Sequence, residues 1–462
     1  MILPFLFLKS KKRGKKENAH KKRTADREKE DESVKMEFTG DYCVDCKLYR
    51  LKYTIEAAKE EPTVVDRCID ELKKCVEKTR NTGFFKSLKP DIRERIFSEG
   101  DFDTWRSKID KESSQKLFAL KSSVDKIDCT DKEQTYREMA QELFSVGNVY
   151  DALQMLVRAR EYTRSSVRNA IILHDLIKYG LISGAPGLDY PPLFTQLHRF
   201  SHNNTDITLG REVRESEEDL HFYTEILPNN IQALEGVYLL FAGNFKEAGL
   251  KLLSFCTESQ GWRESGLMGT VFSMHDAVVY ITLCFLASFD RKTIKKCLIN
   301  SPKFHAWEET CPEMTAILKA FMGLQYKTFL SLVSKVPLKY DMIIGKNADV
   351  LVQKIQRQTI IQFIQPYSAV SFDRMADSLG IPIQSILSEL EQLIDKGTVD
   401  AKIDSVGRVI TIKWDSDKSR AKTIEQVFTA GEAFQNLAET VLMRMSLSKT
   451  TIPSKEDNTD SE

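Results

Sequence analysis

The sequence lacks an apolar run long enough to cross a bilayer. A transmembrane helix needs about 20 consecutive apolar residues, and the nearest candidate, DAVVYITLCFLASFD, is bounded by Asp276 and Asp290. That segment is interpreted as a buried helix of a globular protein. At the amino terminus, MILPFLFL precedes a basic cluster instead of following one, which is the wrong order for a secretory signal. We expect neither export nor membrane insertion.

The motifs of metal and nucleotide chemistry are incomplete. None of the seven histidines has another histidine two residues away, and no glutamate of an H-E-x-x-H motif separates His198 from His202. Cys43 and Cys46 have the spacing of half a zinc site, but no second pair completes it. The segment GKN at 345–347 lacks the upstream glycine and the hydroxyl residue of a phosphate-binding loop. The sequence therefore predicts no enzyme activity, no cofactor and no metal.

Net charge is absent as well, because 67 lysines and arginines balance 67 aspartates and glutamates. The whole chain is therefore not attracted to nucleic acid or to an anionic membrane. Nine cysteines without the spacing of a disulfide framework indicate a reducing compartment. We expect a nuclear and cytoplasmic protein.

The charge balance hides one basic segment. Residues 9–30 contain 11 basic and four acidic residues, a net charge of +7 that leaves −7 for the rest of the chain. Because this stretch has no apolar periodicity, residues 1–35 are predicted to be a disordered tail. A nuclear import signal and a merely solubilising tail are equal alternatives for it. The cations in question are Lys11, Lys12, Arg13, Lys15, Lys16, Lys21, Lys22 and Arg23.

What the sequence does contain is a helical hairpin that occurs twice. SVGNVYDALQML at 145–156 resembles FAGNFKEAGLKLL at 241–253, and the Gly-Asn pair of each supplies a left-handed residue that ends a helix. Each hairpin leaves an apolar face that only a neighbour can cover, so the repeat predicts an all-α, tetratricopeptide-like solenoid over 36–336. EGDFDTW at 99–105 is a weaker copy, because Trp105 replaces a small residue.

The last quarter of the chain combines helices with strands. Helices are predicted at 348–365, 371–380 and 382–397, and alternating apolar residues in 398–414 predict a two-stranded hairpin. This order is that of a winged helix, with bounds at 337–415. The helix at 382–396 carries a net charge of −2, which argues against DNA binding and favours protein contact.

A further helix is predicted at 420–447, before a disordered tail at 448–462. Thr423 and Gln426 form a capping box, and apolar residues then repeat every 3.5 residues as far as Met445. A strict heptad of this kind favours association with other helices. The apolar stripe at 64–76, in contrast, is interpreted as internal core.

Helical repeats that lead into a winged helix and a tail helix resemble the PCI module, which is shared by the proteasome lid, the COP9 signalosome and a translation initiation factor complex. Within that family, four segments look like subunit 1 of the signalosome, and the resemblance covers residues 40–447. They are VYDALQMLVRAREYTRSS (149–166), LASFDRKTIKKCLINSPKF (286–304), IQFIQPYSAVSFDRMADSLGIPIQSILSELEQLIDKG (361–397) and AKIDSVGRVI (401–410).

The resemblance implies a non-catalytic scaffold that supports cullin deneddylation, with the isopeptidase on a different subunit. It also implies that winged helices pair edge to edge while tail helices form a bundle, with subunits 2 and 3 as neighbours and cullin-RING ligases bound through the whole complex. The expected interface residues are Val409, Ile410, Ile412, Ile424, Val427, Phe428, Phe434, Leu437, Val441, Leu442 and Met445. Two alternatives stay open: a proteasome lid scaffold, and a winged-helix protein that binds nucleic acid through its basic tail.

Overall fold

The structure, a computed structural model, describes residues 42–449 except for 60, 98–99, 125–131, 164, 185–187, 203–216, 259–265, 302–308, 405 and 413–415. The chain divides into two compact units. The first contains the described residues through Phe363 together with Ser378–Gly380, and the second contains Ile364–Asp377 and the described residues from Ile381 onwards.

The first unit is an array of α-helices. Their bounds are Val44–Ala57 (α1), Pro62–Val76 (α2), Thr82–Ser87 (α3), Pro90–Ile96 (α4), Asp101–Val124 (α5), Lys132–Val146 (α6), Val149–Tyr162 (α7), Ser166–Ser183 (α8), Tyr190–His202 (α9), Glu217–His221 (α10), Leu227–Ala242 (α11), Phe245–Glu258 (α12), Met274–Ser288 (α13), Arg291–Ile294 (α14), Pro312–Met322 (α15), Tyr326–Val333 (α16) and Ala348–Ile364 (α17). Each of the segments Phe222–Ile226 and Lys295–Ile299 is one π-helical turn. None of the described helices is sufficiently long and apolar to span a membrane.

The two predicted hairpins are confirmed, and their turns are equivalent bond for bond. Gly147 and Gly243 have φ of 92° and 79°, the left-handed region that favours glycine. Asn148 N–H donates to the carbonyl of Leu143 at 2.9 Å, and Asn244 N–H donates to that of Leu239 at 3.0 Å. The repeated motif therefore encodes a repeated tertiary contact between antiparallel helices.

A third hairpin, between α15 and α16, was not predicted from the sequence. Gln325 N–H donates to the carbonyl of Ala320 at 3.1 Å, the bond that Asn148 and Asn244 make in the other two turns. The left-handed residue here is Leu324, with φ of 62°. The hairpin was missed because its turn has no glycine at the left-handed position.

The two segments interpreted as core are buried. On α2, the residues Val64, Cys68, Ile69, Leu72 and Cys75 pack into one cluster with α1 and α3. Every residue from Ala277 to Ala287 of α13 is buried, which confirms that this apolar segment is an internal helix. Trp105, the misfit of the weaker repeat, instead packs against the aromatic rings of Phe85, Phe97 and Phe102.

The second unit has the helices and strands of a winged helix. Its elements are Ala369–Ser371 (β1), Phe372–Leu379 (α18), Ile383–Asp395 (α19), Ala401–Asp404 (β2) and Val409–Ile412 (β3). The sheet has three antiparallel strands in the order β1-β3-β2, so the predicted two-stranded hairpin was one strand short. Ile410 faces Val370 on one side and Ile403 on the other.

The final helix, α20, extends from Ser416 to Lys449. It begins before the predicted capping box, and Thr423 lies inside it. The prediction that Thr423 caps the helix is therefore wrong, although the helix itself is present through the whole heptad region. Residues 1–35 and 450–462, including the basic cluster, lie outside the described residues.

Candidate interaction surfaces

The heptad residues of α20 form an exposed apolar strip, called the α20 seam here. Its members are Ile424, Val427, Phe428, Phe434, Leu437, Val441, Leu442 and Met445, and all of them are exposed. Phe434 is 72% exposed and Val441 is 45% exposed. Between 423 and 446 only Ala438 is even half-buried, so this helix does not pack as core within the second unit.

The seam has the geometry of a helix-packing surface. Its large side chains recur at heptad spacing, which places them on one stripe of an α-helix. Gly431 has no heavy atom within 4 Å of the place where a Cβ would lie, so a partner helix has room to approach there. A soluble chain rarely leaves such a patch uncovered, because burial of each large apolar side chain stabilises an assembly by about 1.5 to 3 kcal/mol.

The expected interface residues on β3 are less exposed than those on α20. β3 is the central strand and is hydrogen-bonded on both sides, so residues 409–412 offer no free edge. Ile410 is fully buried, whereas Val409 and Ile412 are half-buried. The prediction that β3 supplies an edge is wrong, and the free edges of the sheet belong to β1 and β2.

The half-buried polar cluster around Arg50 was not predicted from the sequence. Arg50, on α1, lies 3.2 Å from the carboxylate of Asp276 on α13 and 3.9 Å from that of Asp341. Tyr42 donates to Asp276, and Tyr280 donates to Asp341 at 2.6 Å. The cluster therefore joins the first described helix to the centre of the arm and to the turn before α17.

The pKa values of the two carboxylates in this cluster are shifted in opposite directions. Burial alone would raise the pKa of Asp276, but the Arg50 guanidinium and hydrogen bonds hold it at about 2. For Asp341, burial prevails over Arg50, and its pKa lies above the ordinary value. Burial alone would lower the pKa of Arg50, but the combined attraction of Asp276, Tyr280, Tyr42 and Asp341 outweighs it and raises that pKa, so Arg50 keeps its charge. The cluster is accordingly a structural ion-pair network in which Asp276 is the main counter-ion of Arg50.

His198, Cys43 and Cys46 have the sequence spacing of metal ligands, but their surroundings in the structure differ from those of a metal site. His198 lies on α9, and its Nε2 is 3.1 Å from Glu235, which Lys251 also contacts at 3.0 Å. Cys46 is buried and Cys43 is exposed. No group of three or more His, Cys, Asp or Glu side chains in the described residues is placed to hold a metal ion.

Two family models match the chain. The PCI domain model matches residues 333–414, the region of the winged helix. The model of 26S proteasome subunit RPN7 matches residues 103–297, within the helical arm. An α-helical repeat array followed by a PCI domain is therefore the architecture of the chain, and it is the predicted fold class.

Curated relatives extend the match to most of the chain. COP9 signalosome complex subunit 1 of Arabidopsis thaliana is 23% identical over 81% of this chain and 80% of its own length. Subunit 1b of Drosophila melanogaster is 23% identical over 74% of this chain and 62% of its own length. The 26S proteasome non-ATPase regulatory subunit 6 homolog of Arabidopsis thaliana is 24% identical over a shorter part, 39% of this chain and 46% of the relative.

A PCI domain model matches the region that follows the helical-repeat arm, so the chain resembles proteins that carry this domain. Within that class, the chain resembles COP9 signalosome complex subunit 1 over about four fifths of its length. The resemblance expected from the sequence is confirmed.

Proposed function

We propose that the chain is a non-catalytic scaffold subunit of a COP9 signalosome. The observation that carries the proposal is the joint occurrence of a long match to subunit 1 relatives and an exposed α20 seam. The match supplies the kind of complex, and the seam supplies a surface that needs partners. In this role the arm presents the PCI domain, and α20 joins a bundle with helices of other subunits.

Three finer points belong to the same proposal. The complex supports cullin deneddylation and so regulates cullin-RING ubiquitin ligases, while the reaction itself takes place on another subunit. Subunits 2 and 3 are the expected neighbours. The chain works in both nucleus and cytoplasm, and Lys11 to Arg23 form the import signal.

Affinity purification followed by mass spectrometry tests the proposal. The tagged full chain is expected to co-purify with the other signalosome subunits and with cullins, at comparable amounts for the subunits. Recovery of proteasome base ATPases and lid subunits in their place would contradict signalosome membership.

A proteasome lid scaffold is the second candidate, and one observation favours it. The family model that matches the arm is that of a proteasome subunit. The purification separates the two candidates, because the lid and the signalosome have different subunits. The nucleic-acid alternative is weaker, because α19 and the residue after it carry Glu389, Glu391 and Asp395 against the single cation Lys396.

A further inference from the structure

A groove on the arm, far along the chain from the α20 seam, is left open between α3 and α7. Its volume is about 780 Å³. Tyr49 of α1 and Phe84 of α3 line one side, and Tyr150, Leu153 and Val157 of α7 line the other. The groove lies wholly within the first unit and is lined mainly by apolar and aromatic groups, which is typical of a binding site.

The floor of the groove is open because two glycines, Gly83 and Gly147, meet there without side chains. A Cβ on Gly83 would lie 2.8 Å from the carbonyl oxygen of Gly147. Asn81 fixes this arrangement, because its Oδ1 accepts the N–H of Phe84 at 2.9 Å and caps α3. The groove is therefore held by the turn of the first hairpin and does not depend on flexible side chains.

Leu153 of the α7 wall also packs against the core of the hairpin, whereas Tyr150 and Val157 are not part of that core. Ala152, Leu156 and Ala159 already fill the buried face of α7. On the other face Tyr150 is 73% exposed and Val157 is 47% exposed. In the equivalent hairpin, aligned on Ala152 and Ala248, the position of Tyr150 is held by the exposed Lys246.

The rim of the groove is cationic. Lys52 donates to Ser87 Oγ at 3.1 Å, and its Nζ lies 6.0 Å from the centre of the Phe84 ring. Arg158 lines the groove directly. Neither of these two cations has an ion-pair partner in the described part of the chain, and Glu161 is the acidic residue among the lining side chains.

We propose that this groove binds an acidic amphipathic helix of another protein. Tyr150, Leu153 and Val157 have i, i+3, i+7 spacing and span about 10.5 Å, which matches the anchor residues of a two-turn helix laid beside them. Carboxylates beside those anchors would meet Lys52 and Arg158. The charge of the rim also disfavours the basic amino-terminal segment of this same chain as the occupant.

A pair of labelled peptides tests the proposal on the full chain. Both carry leucines at i, i+3 and i+7 on an alanine helix, with glutamates at the flanking positions in one peptide and lysines in the other. Fluorescence anisotropy should show the glutamate peptide binding at least about tenfold more tightly than the lysine peptide. Equal binding of the two peptides, or no binding of the glutamate peptide, would overturn the proposal.

Two variants locate the binding and one serves as a matched control. Tyr150→Lys, which copies the residue of the second hairpin, should weaken glutamate-peptide binding about tenfold without lowering the melting temperature. Lys52→Glu with Arg158→Glu should reverse the preference towards the lysine peptide, a result that misfolding cannot imitate. Leu250→Lys, at an exposed leucine on α12, should leave the binding of the glutamate peptide unchanged.

A second copy of the chain is the remaining occupant to distinguish. Light scattering of the wild-type chain and of Tyr150→Lys should give the same mass at each concentration. A dimer that dissociates only in Tyr150→Lys would assign the groove to self-association and contradict the proposal.

Discussion

At the scale of single residues, Leu324 occupies a backbone position that the other two hairpins give to glycine. Its left-handed conformation costs about 1 to 2 kcal/mol, and its side chain is 59% exposed, so little packing offsets this cost. Leu324→Gly should therefore raise the free energy of unfolding by about 0.5 kcal/mol, after allowance for the greater freedom of glycine in the unfolded chain. Urea denaturation measures the change.

Gly243 offers the matched control for Leu324. A Cβ there would meet nothing closer than Asn347, at 3.8 Å, so Gly243→Ala tests backbone strain without a clash. We expect Gly243→Ala to lower the free energy of unfolding by about 1 kcal/mol. A loss of stability in Leu324→Gly would mean that the leucine side chain contributes more than its exposure suggests.

The same scale contains a pH-dependent contribution from the Arg50 cluster. The pKa of Asp276 falls from 3.8 to about 2 on folding, so its contribution to stability is complete above the unfolded pKa and is lost as the pH falls through 2. Asp276→Asn should lower the free energy of unfolding by about 2 to 3 kcal/mol at pH 6. The difference from wild type should stay constant above about pH 4 and shrink as the pH approaches 2.

Chemical denaturation at a series of pH values measures this difference. Asp349→Asn is the control, because that carboxylate is 81% exposed and its pairing with Lys339 adds little. If the difference in the free energy of unfolding between wild type and Asp276→Asn stays the same down to pH 2, then Asp276 does not interact with Arg50 as the distances indicate.

At the scale of elements, α20 carries the assembly prediction. Phe434→Asp with Val441→Asp places two charges in the α20 seam, and incorporation into the larger complex should fail because those charges would be buried without partners. The melting transition of the isolated chain should change little, since both side chains are exposed in it. Co-purification and thermal melting together give the answer.

The control for that pair lies on the same helix. Asn436→Asp with Thr440→Asp adds the same charge at exposed polar positions on the face opposite the seam and should leave incorporation intact. If the seam variant still recovers all partners, the seam is not the assembly surface. If the isolated seam variant unfolds, α20 packs within its own chain.

The elements also show which parts of the fold the sequence can predict. α13 was predicted from a local apolar run, and the seam residues of α20 were predicted from a local periodicity. β1 was missed, since three residues are too few to show an alternation. The Arg50 cluster was missed for another reason: Asp276 and Asp341 lie far along the chain from Arg50, and no local pattern reports such a contact.

At the scale of the whole molecule, charge is divided between a basic amino-terminal segment and a chain that is otherwise net negative. Residues 9–30 have a net charge of +7, which equals the deficit of the remainder. We expect the chain that begins at Lys35 to accumulate in the nucleus less than the full chain does. Fluorescence microscopy of tagged chains, with Lys11, Lys12 and Arg13 replaced by glutamine as a second variant, measures the effect. Unchanged accumulation in both would leave solubility as the role of the segment.

The exposure of α20 also bears on how a cell regulates the amount of this protein. A copy made in excess of its partners would display the bare helix continuously, and exposed apolar surface is what chaperones and proteases recognise. Newly made chains would then survive in proportion to the partner helices ready to receive them. The helix that completes the assembly would thereby also limit the lifetime of the orphan subunit.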